Sequence, residues 1–226
     1  MSMRISSLVL ALTATATLFA GPLEESDRTK ALNELNASRK QFLDAIADLS
    51  QSQWTYKAGP DRWSIAEVAE HIIAAENYLG SLVTKQMMGS PADPAKALQR
   101  KPALAKMDDG LLANLKDRSK KATAPGEIVP KGIYKTPAEA SAAFTAARDK
   151  TLNYVKTTND ALREHFATPF PGFEMDGVQG LLMIAGHNER HVLQMLEVKQ
   201  SPGYPASGVV DDRLTKPSVG LPGKIK

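Results

Sequence analysis

Three places in this chain announce the start of a helix in the same way. At Ser64 and Glu67, at Thr136 and Glu139, and at Asp176 and Gln179, an oxygen-bearing side chain stands three residues before a Glu or Gln, each time at the head of a periodic apolar run. In that arrangement the first side chain accepts from the backbone N–H three residues on, while the second reaches back toward the start. Two donors with no intrahelical partner are thereby satisfied together. Trp63 and Val68 add a hydrophobic staple across the first of these starts, and Pro137 takes the first helical position of the second, where a missing N–H costs nothing. Local chemistry alone therefore commits much of the chain to helix.

Apolar spacing sets how far each helix runs. From about Glu24 to Leu49, the residues Leu32, Leu35, Phe42, Ile46 and Leu49 keep a three-and-four rhythm, with Arg39 on the same stripe packing its aliphatic stem and sending its head to water. After Ser64, the rhythm passes through Ile65, Val68, Ile72, Ala75, Leu79 and Leu82. Ala140, Phe144, Ala147, Thr151 and Val155 give a small-residue inward face to a helix from Thr136 to roughly Leu162. Gly180, Ile184, His187, His191, Gln194 and Val198 share one face of a last helix ending near Gln200.

Between these runs, Pro91, Pro94 and Pro102 predict an extended loop over Gly89 to Met107, after which Asp108 caps a shorter helix bearing Leu111, Leu112 and Leu115. Pro125 to Lys135 reads as a connection, and His165 to Asp176, with Pro169, Pro171 and Gly172, as irregular. No strand-like alternation of any length stands out. The expected fold is all-α, a four-helix bundle with one additional short helix and long loops, spanning residues 24–200 and followed by an irregular tail over 201–226.

A chain of 226 residues with 42% hydrophobic content suits one domain, and the absence of cysteine excludes disulfides and thiolate ligands. Residues 1–20 join Arg4 to an uncharged run from Ile5 onward, the pattern of a signal peptide, with cleavage points at Ala14, Ala16 or Ala20. The expected location is periplasmic or secreted, without stable membrane insertion once the leader is removed. Loss of Arg4 leaves 27 basic against 25 acidic residues, a net +2, and no basic face interleaved with aromatics. Nucleic acid is not an expected partner; a small-molecule substrate is, and a homodimer stays open.

The chemistry rests on histidine, of which the chain has only four. His187 and His191 are one helical turn apart and leave the same face. His71 belongs to the row Ser64, Glu67, His71, Ala74, Tyr78, which flanks the apolar stripe of its own helix. Two facing helices would then offer three imidazoles to a divalent cation and leave a coordination position open, as a catalytic site requires. Zinc, nickel, iron and copper all suit such ligands. The run reads His-Asn-Glu-Arg-His and not His-Glu-x-x-His, so Glu189 swings about 200° away from the metal face and the metalloprotease mechanism is disfavoured. Glu67, one turn before His71, is the candidate catalytic base, although its capping role is a competing explanation. Of the residues flanking the pair, only Gln194 lies near the metal face. His165 has no such pattern.

The Trp63-Ser64-Ile65 entry with Glu67 and His71, combined with His187-Asn188-Glu189-Arg190-His191 and Gln194 in the last helix, resembles the DinB-like family of four-helix-bundle proteins over roughly residues 25 to 200. The resemblance implies a divalent metal held by His71, His187 and His191, of zinc, nickel or iron type. It also implies an activity among metal-dependent hydrolases or thiol-dependent transferases and isomerases. The expectation is thus an exported metal-dependent hydrolase or group transferase. A non-catalytic metal- or ligand-binding bundle is the alternative, and a metal-free interaction module a third.

Overall fold

The structure, a computed structural model, describes residues 21–119, 124, 126–170 and 172–206. The expected leader and the tail beyond 206 lie outside the described residues. The principal helices are α1 (Glu25–Ile46), α3 (Ile65–Ser81), α6 (Pro137–Thr157) and α7 (Gly177–Lys199), with shorter helices α2 (Gln51–Thr55), α4 (Pro94–Arg100) and α5 (Leu104–Lys116) between them. Helix α7 packs against α1, α3 and α5, and α6 packs against α1 and α3. The fold is all-α apart from one small hairpin, as the periodicity predicts.

Two of the three expected capping boxes close and the third forms only in half. Ser64 and Glu67 make a full capping box on α3, and Asp176 and Gln179 make one on α7. On α6, Thr136 accepts from the Glu139 amide, but Glu139 reaches past the cap to the Lys135 amide at 2.7 Å. At its C-terminal end α3 widens into a π turn, Leu82–Met87, which brings Val83 hard against α7. A Cβ on Gly180 would lie 2.6 Å from Val83 Cγ2, so this crossing needs a residue without a side chain.

Among the described residues the interior has two apolar clusters. One, around Phe42, Trp54, Ile65, Val68, Ile72, Phe144, Val192 and Met195, underlies the start of α3 and the second half of α7. The other, around Leu35, Leu79, Val83, Met87, Leu152, Leu162, Leu181 and Leu182, fills the opposite end. Arg148, fully buried, touches both: its guanidinium stands 5.1 Å from the Phe144 ring centre and donates to the Leu35 carbonyl. It also grips both oxygens of buried Glu76 at 2.9 and 2.7 Å and reaches Ser38 Oγ at 2.8 Å.

Several expectations are corrected. Gly89 to Met107 is not an extended loop: Asp93 caps α4 with Pro94 at its first position, and Pro102 lies at the start of a short 3-10 turn, Lys101–Ala103. Proline is a breaker inside a helix but is welcome in its first turn, where its N–H would have no partner. Asp108 does not cap the next helix. It sits inside α5, 2% exposed, and accepts from Arg163 at 2.7 and 3.1 Å. The segment read as irregular contains an antiparallel hairpin, β1 (Phe166–Phe170) with β2 (Phe173–Asp176). Helix α6 stops at Thr157, short of Leu162, and α2 is an additional helix with its own capping box at Ser50 and Gln53. The first tail residues also pack: Tyr204 meets Tyr56 edge-on at 5.5 Å, and Gln53 donates to the Pro205 carbonyl.

Candidate metal centre

Helix α3 delivers His71 and helix α7 delivers His187 and His191 to one point, where the three rings offer ligand atoms all within 4.8 Å of one another. Ring centres are 5.0 Å apart for His71 and His187, 4.4 Å for His71 and His191, and 4.5 Å for His187 and His191. His71 is 2% exposed, and His187 and His191 are half-buried. The Trp63 ring, on the residue before the α3 cap, stands 5.0 Å from His71 and walls that side.

Hydrogen bonds fix which nitrogen is available on two of the three rings, His71 and His191. His71 Nδ1 lies 2.8 Å from the Ile128 carbonyl oxygen, which can only accept, so Nδ1 carries the proton and Nε2 keeps its lone pair. His191 Nδ1 is 2.8 Å from Gln194 Oε1, which places the His191 lone pair on Nε2 in the same way. The two Nε2 atoms face each other at 3.2 Å. With both Nδ1 atoms acting as donors, no neutral hydrogen bond can join the Nε2 pair, and two lone pairs meet at contact distance. A cation between them resolves that repulsion.

The spacing fits a metal. Two imidazole nitrogens at about 2.0–2.1 Å from a tetrahedral ion are roughly 3.3 Å apart. The observed 3.2 Å is close to that value. Electrostatics agree, since a ligand must be neutral to bind. Burial pulls the His71 imidazole below its ordinary value. His187 is pulled well below by burial and then by the charges that His191, His71 and Arg190 would present. His191 is pulled down to about 3, first by burial and then by His71.

Glu67 stands apart from this cluster. Its Oε2 accepts from the Ser64 amide at 2.7 Å and its Oε1 from Lys57 at 2.8 Å. Partial burial alone would raise its pKa, but Lys57 and the Ser64 amide outweigh that and lower it. Glu189 pairs with Lys116 at 3.0 Å, turned from the histidines as the helical geometry predicts. Gln194, by contrast, is part of the site. His165 is elsewhere, bonded to the Ser90 carbonyl at 2.8 Å.

Three imidazoles converging from two helices of a bundle form a group that could hold a metal ion. The chain belongs to the DinB superfamily, whose family profile matches residues 34–195. It is also similar to the uncharacterized protein YuaE of Bacillus subtilis (strain 168), with 22% identity over 166 residues that cover 73% of this chain and 94% of that protein. No solved structure matches significantly. Among the described residues no helix is long and apolar enough to cross a membrane.

Proposed function

We propose that this protein binds one divalent first-row metal ion through His71 Nε2, His187 and His191 Nε2, and uses it in hydrolysis or group transfer on a small molecule. The observation that carries the reading is the pair of Nε2 lone pairs held 3.2 Å apart while both Nδ1 protons are engaged elsewhere. When bound, the metal would supply Lewis acidity at a coordination position left open by a three-ligand set. The chain's own part is to hold the imidazoles neutral and oriented, with Ile128 and Gln194 fixing their tautomers. Glu67 would serve a proton transfer only after leaving Lys57 and the Ser64 amide. That engagement favours, as a second reading, a bundle that binds metal or ligand without catalysis.

Export through the leader at residues 1–20 belongs to the same proposal. Element-resolved metal analysis of protein purified without chelator or histidine tag, beside the His187→Ala/His191→Ala double variant, tests the site. Near-stoichiometric zinc, nickel or iron in the parent and none in a still-helical variant is the expected result. A parent that takes up no ion after incubation with each metal overturns it. Fractionation and intact-mass analysis of the product made with its leader test export.

A further inference from the structure

Glu70, the residue before the metal-facing His71, is 4% exposed, an unusual place for a carboxylate. Its two oxygens are divided between two backbone donors: Oε1 accepts from the Lys131 amide at 2.6 Å and Oε2 from the Ile133 amide at 2.8 Å. Both amides belong to the loop that follows the 3-10 turn Gly126–Ile128. That turn supplies the Ile128 carbonyl on which His71 Nδ1 rests. Adjacent residues on a helix point about 100° apart, so Glu70 and His71 grip the same loop at two different places.

The turn is also anchored by the Ile128 side chain, which is 7% exposed. Its own closing hydrogen bond, Val129 amide to Gly126 carbonyl, is long at 3.4 Å. Gly132 lies between the two clamped amides at φ +75°, a left-handed conformation that lets the chain present both N–H groups to one carboxylate. Charge-assisted bonds from a buried carboxylate are the strong kind, and here they act on backbone. A carboxylate is also specifically required: a glutamine would accept with its oxygen but turn its NH2 group toward the second amide.

We infer that Glu70 is a positioning residue for the metal centre, pinning the 126–133 loop through the Lys131 and Ile133 amides so that the Ile128 carbonyl holds His71 in its metal-binding tautomer and orientation. The inference rests on the three-histidine reading. Groups that orient a ligating imidazole typically matter by about 10–100-fold in metal affinity. Coupling between loop and metal must also run both ways.

The test measures zinc affinity by chelator competition for the parent, Glu70→Gln and Glu139→Gln, together with hydrogen exchange of the parent's amides with and without zinc. Glu139 holds the Lys135 amide, beyond the stretch clamped by Glu70, so it serves as the control. Expected are a roughly 10–100-fold weaker zinc affinity in Glu70→Gln, no change in Glu139→Gln, and slower exchange at Lys131 and Ile133 in zinc-loaded parent. A merely structural Glu70 would lower the melting temperature and leave the affinity of the folded variant intact, which would overturn the inference. Should Glu70→Gln fail to fold, the parent decides alone: exchange at the two amides that is indifferent to zinc overturns the coupling. A parent that binds no zinc, nickel or iron overturns the site itself and the inference with it, whereas a parent that binds while Glu70→Gln matches it overturns only the inference.

Discussion

Among the described residues three polar clusters interrupt the apolar interior, and two of them are built on a principle opposite to the third. Around Arg163, every strong group is answered: its guanidinium pairs with Asp27 at 2.6 Å, Asp108 at 2.7 Å and Asp176 at 3.1 Å, tying α1, α5 and the start of α7 together. Arg148 and Glu76 do the same for α1, α3 and α6, with Thr151 adding a third bond to Glu76 at 2.9 Å. At the histidine cluster the outward-facing nitrogens of His71 and His191 are answered and the inward-facing pair is not. The clusters that hold the fold close on themselves, while the histidine cluster keeps valences in reserve.

The sharpest way to break that contrast is to unbalance a closed cluster. Arg148→Leu leaves the Glu76 carboxylate buried without its partner, and breaking a buried pair this way costs about 3–5 kcal/mol. Denaturant unfolding should show that loss while the zinc affinity of the folded fraction is unchanged. Acid should act on the open cluster instead. Below the ordinary imidazole value the unfolded chain takes up protons that the folded metal-free protein refuses, because burial holds the folded values down, His191 to about 3. Stability of the metal-free protein should therefore be complete above about pH 6.5 and fall progressively from there toward pH 3. Zinc retention should fail in the same direction as protons compete for the nitrogens. A melting temperature flat across that range would show that the imidazoles are not desolvated as described.

Two smaller changes sharpen the comparison. Gln194→Leu removes the acceptor that fixes the His191 tautomer and should weaken zinc binding about 10–100-fold with little change in unfolding free energy. Glu67→Gln should cost about 1 kcal/mol or less, as expected for weakening a helix cap. If instead it abolishes turnover of a substrate found by screening, with the fold and metal content intact, Glu67 is the base and its contact with Lys57 opens during reaction.

How much of this was legible in the sequence depends on the range of the interaction. The helix starts were readable because a capping box spans three residues, and the three histidines were readable because helical rows place them. Asp108 was misread because the partner that draws it inward, Arg163, is 55 residues away. The Glu76–Arg148 pair was missed although a signal was present. Glu76 stands four residues after Ile72, and Arg148 four after Phe144, so both fall on apolar stripes where a charge demands a partner. Glu70 left no such trace, because its partners are backbone amides, which no side-chain pattern encodes. The prolines of residues 91–102 misled because position within a helix, and not proline itself, decides whether the helix breaks.

The donor set has one more consequence. Imidazoles neither pair into disulfides nor climb the oxidation ladder of a thiolate, and this chain has no cysteine at all. The donor set itself is therefore indifferent to thiol–disulfide exchange in either an oxidising or a reducing compartment. Of the methionines, Met87, Met175, Met183 and Met195 are buried in the apolar clusters, whereas Met107 is exposed.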